Sequence, residues 1–142
     1  MDKGLKILHN PKRIGIRAIM EVAGVLDKPL NASTIAFSIA PRLNAAGRLG
    51  SAATAVELLL TNDESRAREL ALLLDTENKE RQQTERQIFD EALELIAKDP
   101  NFEKKKVIVL AQENWHQGVI GIVASRLCAV SYTHLTLPTI CS

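Results

Sequence analysis

Aromatic side chains are scarce: three Phe, one Trp and one Tyr make up 4% of 142 residues. Any core must therefore be built from Leu, Ile, Val and Ala. No run of 18 apolar residues occurs, so no segment reads as a membrane-spanning helix. The opening stretch, Met1-Asp2-Lys3-Gly4-Leu5-Lys6, has no apolar run, and a secretory leader is not expected from it. Cysteine is limited to Cys128 and Cys141, which are too few for a disulfide scaffold and not spaced as a metal pair. That usage fits a cytoplasmic protein. There is no G-x-S-x-G elbow, no phosphate-cradling P-loop and no C-x-x-C, so three common catalytic plans are excluded. Nor do Asp and His cluster as a divalent-metal site would require; His9 stands alone beside Asn10.

What is present is charge, unevenly placed. Residues 1–50 hold eight Lys and Arg against three Asp and Glu, whereas residues 51–101 hold six against twelve. The near-neutral total conceals a basic first third and an acidic middle, so contact with a polyanion should be local.

The chain reads as helices with one strand. Asn10-Pro11 opens a helical segment over Lys12–Val25, with Pro suited to a first turn. Leu30–Ala40 is a second, capped by Asn31 or Ser33 and ended or kinked at Pro41. Pro41 to Gly50 is rich in small residues and reads as a loop, or as a helix end and turn. Ser51 caps a short helix over Ala52–Leu60. Thr61-Asn62-Asp63 then starts a long one, because Asp63 to Lys98 contains neither Gly nor Pro. Its ends carry apolar residues, but Asp75 to Gln87 holds no large apolar side chain in 13 positions. The spacing predicts a helix that bridges two packed units through a solvated middle, with a boundary near residue 80. Asp99-Pro100-Asn101 stops it. Lys106–Ala111 is a short apolar run that predicts a buried strand. After a loop over Gln112–Gln117, Gly118–Val130 predicts a helix, so the second unit opens as an α/β fold would.

Two patches carry the candidate chemistry. In Arg42-Leu43-Asn44-Ala45-Ala46-Gly47-Arg48, two guanidiniums and an amide surround residues small enough for a ligand backbone to approach. Arg forks match phosphate oxygens, so Arg42, Asn44 and Arg48 are candidates to hold a nucleic-acid backbone. The competing view is a helix end whose arginines pair with the acidic middle. In Trp115-His116-Gln117-Gly118, a loop leads into a helix that continues to Ser125-Arg126. A helix N-terminus offers N–H groups to an anion, and His116, Ser125 and Arg126 are the candidate phosphate contacts there. The competing view makes Trp115 a packing residue and leaves His116 and Arg126 in solvent.

These two motifs, Ala40 to Leu49 and Trp115 to Leu127, resemble the RecJ family of the DHH/DHHA1 phosphoesterase superfamily. So do Arg17-Ala18-Ile19-Met20-Glu21-Val22-Ala23-Gly24, Val56-Glu57-Leu58-Leu59-Leu60-Thr61 and Glu77-Asn78-Lys79-Glu80-Arg81-Gln82. The resemblance covers roughly residues 4–127. It implies an α/β parent fold of which this chain is a mostly α internal part. Residues 1–62 would be the helical end of a DHH domain, 63–98 an inter-domain helix and 99–128 the start of a DHHA1 domain. It also implies a cytoplasmic, monomeric 5′→3′ exonuclease acting on single-stranded DNA in repair and recombination, with Mn²⁺ or Mg²⁺ held by residues outside this sequence. Such cations lower the pKa of a bound water and stabilise phosphoryl charge. The chain alone would then lack catalytic residues and activity. Carried over by position, Arg42, Asn44 and Arg48 would line a cleft, and His116, Ser125 and Arg126 would meet DNA phosphates. Gln117 departs from the Pro usual in the family. Residues 129–142, including His134 and Cys141, follow no period and read as a non-native tail. Two rivals stand beside this reading: a DHH-family phosphodiesterase for oligoribonucleotides or cyclic dinucleotides, and a non-catalytic nucleic-acid-binding module.

Overall fold

The structure is a computed structural model that describes residues 2–8, 10–102, 105 and 107–131. His9 and most of the predicted tail, with His134 and Cys141, lie outside these residues. The described chain is helical and contains no strand. It divides into two compact units, Met1–Arg81 and Gln82–Ser142.

The first unit begins with α1 (Asp2–Leu8) and α2 (Ile14–Val22). α2 is shorter than the predicted Lys12–Val25 because glycine ends it early. Gly24 sits at φ 67°, its N–H bonds the Glu21 carbonyl, and the Val25 N–H reaches back to Met20. This left-handed stop satisfies two carbonyls that the helix would otherwise leave open. α2 buries Ala18, Ile19 and Met20. At its start Gly15 lies against the backbone of α5 (Ala52–Leu60): a Cβ there would stand 1.7 Å from the Leu58 carbonyl oxygen. Only a hydrogen fits, and that fixes how closely the two helices approach.

Asn31 caps the next run by accepting from the Thr34 N–H at 2.8 Å. The run starts as α3 (Ala32–Thr34), widens into a π-helical turn (Ile35–Ile39) and continues as α4 (Ala40–Leu49). Of the alternatives open here, Pro41 does not end the helix, and Pro41–Gly50 is not a loop but the last turns of a helix that closes at Gly50. The physical reason is the π turn. The Ala40 N–H bonds Ile35, five residues back, and Pro41 enters in the first turn of α4, where its missing N–H is tolerated. Ser51 caps α5 as predicted, accepting from the Ala53 N–H at 3.2 Å.

α6 (Glu64–Ala97) starts where Asp63 accepts from the Arg66 N–H, and the division between units falls within it. In the first unit it buries Ala67, Leu70, Ala71 and Leu74 against residues of α2, the π turn, α4 and α5. Ile19, Met20, Leu58 and Leu74 are fully enclosed. Each contributes about 1.5–3 kcal/mol by leaving water. The predicted solvated middle needs correction, because Asp75 is 8% exposed and Asn78 3%. The buried stripe of α6 continues past Leu74 at helical spacing, with polar residues in place of apolar ones.

In the second unit α6 contributes Ile88 and Ala92, and α7 (Gln117–Ser131) contributes Val119 and Val123, both pairs at i, i+4. Of the predicted strand over Lys106–Ala111, Lys106 lies outside the described residues, and Val107 to Ala111 make no ladder, with Val109 84% exposed. A strand requires a partner for its N–H and C=O groups, and no other described segment is extended beside it.

Candidate nucleic-acid interface

In the first unit, α4 presents its motif on two different faces. Arg42 turns inward. Its Nε donates to Asp75 Oδ1 at 2.8 Å, and its Nη1 donates to the carbonyl of Ser38 in the π turn. Side-chain exposures of 18% for Arg42 and 11% for Asp75 make this a largely enclosed ion pair. Lys79 adds a second cation to the same carboxylate at 2.8 Å. Burial pushes the Asp75 carboxyl up, but the Lys79 and Arg42 contacts outweigh it and hold the group below the usual carboxylate range.

Asn44, Gly47 and Arg48 face the other way and are exposed. With Leu43 and Ala52 they line a shallow surface groove. The i, i+3, i+4 spacing puts amide, open glycine and guanidinium on one side of the helix. A Cβ on Gly47 would meet nothing within 4 Å, so the surface over this glycine is open. Of the three predicted residues, two share this groove and Arg42 is directed into the fold.

Glu77 packs against the turn that ends α4; its Oε1 would lie 3.0 Å from a Cβ on Gly50. Its Oε2 is buried with no hydrogen-bond partner. Burial, and then the neighbouring Glu80, push this carboxyl above its ordinary value.

In the second unit the predicted residues sit along α7 and are engaged in different ways. His116 Nδ1 accepts from the Gly118 N–H at 3.1 Å, so the imidazole caps its own helix. Only Nε2 is then left to donate outward. The Ser125 hydroxyl donates to the Gly121 carbonyl at 3.0 Å, one turn back. Arg126 lies over the Phe89 ring, 4.3 Å from its centroid, and its Nη1 is 3.6 Å from Glu85 Oε1. Trp115 donates its indole N–H to Glu91 at 2.8 Å, and Gln87 donates to the same carboxylate at 2.9 Å. The Gln87 and Trp115 contacts hold Glu91 below its usual range. Asp75, Glu85, Phe89 and Glu91 were not among the predicted functional residues. Their signal in the sequence is only a helical spacing, which does not name the partner across the packing.

Chemically, Arg48 and Arg126 are partly exposed cations beside hydrogen-bonding groups, suited to phosphate oxygens. Among the described residues no three His, Cys, Asp or Glu converge as a metal site would require. These residues do not fit a divalent cation.

No protein-family model matches the chain. It is 40% identical over 124 residues to the single-stranded-DNA-specific exonuclease RecJ of Bacillus subtilis, a match covering 87% of this chain and 16% of that protein. It is 45% identical over 117 residues to the same-named protein of Haemophilus influenzae, covering 81% and 20%. The crystal structure of RecJ from Thermus thermophilus in complex with Mn²⁺ matches at 38% identity and a TM-score of 0.78, covering 92% of this chain and 19% of that one. The chain spans about a fifth of the length of the relatives it matches.

Proposed function

We propose, on the premise that the chain is homologous to the RecJ exonucleases over most of its length, that it is a strand-holding segment of a metal-dependent single-stranded-DNA exonuclease. The likeness in both sequence and backbone carries this reading. Residues 1–62 then close a DHH domain, 63–98 form the helix to a DHHA1 domain that begins at 99–128, and the parent fold is α/β. Residues 129–142 are then a non-native tail. The hydrolytic centre, with Mn²⁺ or Mg²⁺, is assembled by other parts of the parent enzyme.

In this reading Asn44 and Arg48 contact the strand from α4, while Arg42 acts through the fold by tying α4 to α6. On α7, Arg126 meets a phosphate oxygen with Ser125 directly before it in the chain, and His116, capping the start of α7, offers Nε2–H. An Arg–phosphate contact is geometrically matched and charge-assisted, so it holds a strand in line better than a diffuse basic surface does.

The test compares binding of the chain to a 20-nucleotide single strand and to the duplex of the same sequence, alongside release from end-labelled strand with Mn²⁺. The expected result is tighter binding of the single strand with no release of nucleotide. Equal affinity for the duplex, or no binding of either, contradicts the strand-holding role.

A further inference from the structure

We infer that Glu85 and Phe89 are positioning residues that hold the Arg126 guanidinium ready for a phosphate oxygen of a single strand. This rests on the reading above that Arg126 meets phosphate.

Glu85 and Phe89 are four residues apart on α6, so they present a carboxylate and a ring face to one place. Arg126 comes to that place from α7, over the ring at 4.3 Å and beside the carboxylate at 3.6 Å. The ring restrains the plane of the fork, and the carboxylate sets its rotation. The pair is asymmetric: the Glu85 side chain is 16% exposed and that of Arg126 49%. The anion is therefore the anchored partner and the cation the presented one. At 3.6 Å the contact is longer than a hydrogen bond, so it orients the fork without using an N–H at full strength. Two carboxylates of α6 hold this stretch, Glu91 through Trp115 in the loop just before α7 and Glu85 beside Arg126 within α7, which limits sliding of the arginine along the ring.

An ordinary surface ion pair predicts the opposite consequence for anion binding. Glu85→Gln removes a negative charge beside the arginine, so plain electrostatics would tighten binding of a polyanion. A positioning carboxylate predicts that the same substitution weakens it. The experiment measures the affinity of the whole chain for oligothymidylate, with and without a 5′ phosphate, which separates terminal from internal phosphate. Arg126→Ala should weaken binding about tenfold, as expected for a lost charge-assisted contact. Glu85→Gln and Phe89→Leu should each weaken it about threefold, whereas Phe89→Tyr, which keeps the ring face, should not. In the Arg126→Ala background Glu85→Gln should have no further effect. Tighter binding by Glu85→Gln, or an unchanged loss when combined with Arg126→Ala, overturns the positioning role. If Arg126→Ala itself binds as the unsubstituted chain does, the phosphate reading fails, and the positioning role with it. Should Glu85→Gln unfold, the Phe89→Leu and Phe89→Tyr pair decides the matter alone.

Discussion

Arg42 of the first unit and Arg126 of the second are handled in opposite ways. In Met1–Arg81, an apolar core drawn from several helices encloses Arg42 and turns its charge onto Asp75. In Gln82–Ser142, the described buried residues are few, and Arg126 is held at the surface by one ring and one carboxylate. The lesson is that an arginine in a ligand-like motif is assigned by what surrounds it. A thick core converts the charge into a tie between helices. A thin one can only orient it, and leaves it half in solvent.

The largest effect is expected from Gly15→Ala in the first unit. The added methyl would meet the Leu58 carbonyl at 1.7 Å, and both are backbone-fixed. Stability should fall by about 3 kcal/mol in denaturant titration of the helical signal. Next comes Asp75→Ala, which leaves Arg42 enclosed without its anion and should cost about 2–3 kcal/mol. The lowered Asp75 pKa adds a pH signature. Its stabilisation is present above the unfolded value of about 3.9 and is lost as pH falls through the folded one. The unsubstituted chain should therefore lose stability more steeply below about pH 4 than Asp75→Ala does.

In the second unit, Trp115→Phe removes the indole donor from Glu91 and should cost about 1 kcal/mol, seen as an earlier thermal transition. Trp115 is the sole tryptophan, so its fluorescence in the parent chain reports this unit alone. Smallest is Glu77→Gln. A raised carboxyl pKa stabilises below the unfolded value of about 4.3 and is lost as pH rises through the folded one. The substitution should thus gain a few tenths of a kcal/mol, roughly, at about pH 7 and nothing at about pH 3.5.

Local signals made several elements legible. Ser51 announced α5, Asp63 announced α6, and the Gly/Pro-free stretch gave the length of the latter. Features that depend on packing were not legible. Pro41 read as a stop or a kink because the π turn before it leaves no mark in composition. Val107–Ala111 has the pattern of a strand, but pattern supplies no partner for its hydrogen bonds. Asp75 and Asn78 looked solvated because they are polar, while their helical phase puts them on the buried side. Likewise the motif residues of α4 were visible as a set, but the split between inward Arg42 and outward Arg48 is a matter of which helix lies behind.

The most direct measurement is the salt dependence of single-strand binding. Each phosphate contact on a single strand contributes about −0.7 to the slope of log affinity against log salt. Arg48→Ala and Arg126→Ala should each reduce the slope by about that amount. A slope unchanged by both substitutions would contradict the assignment of these two arginines to the nucleic-acid backbone.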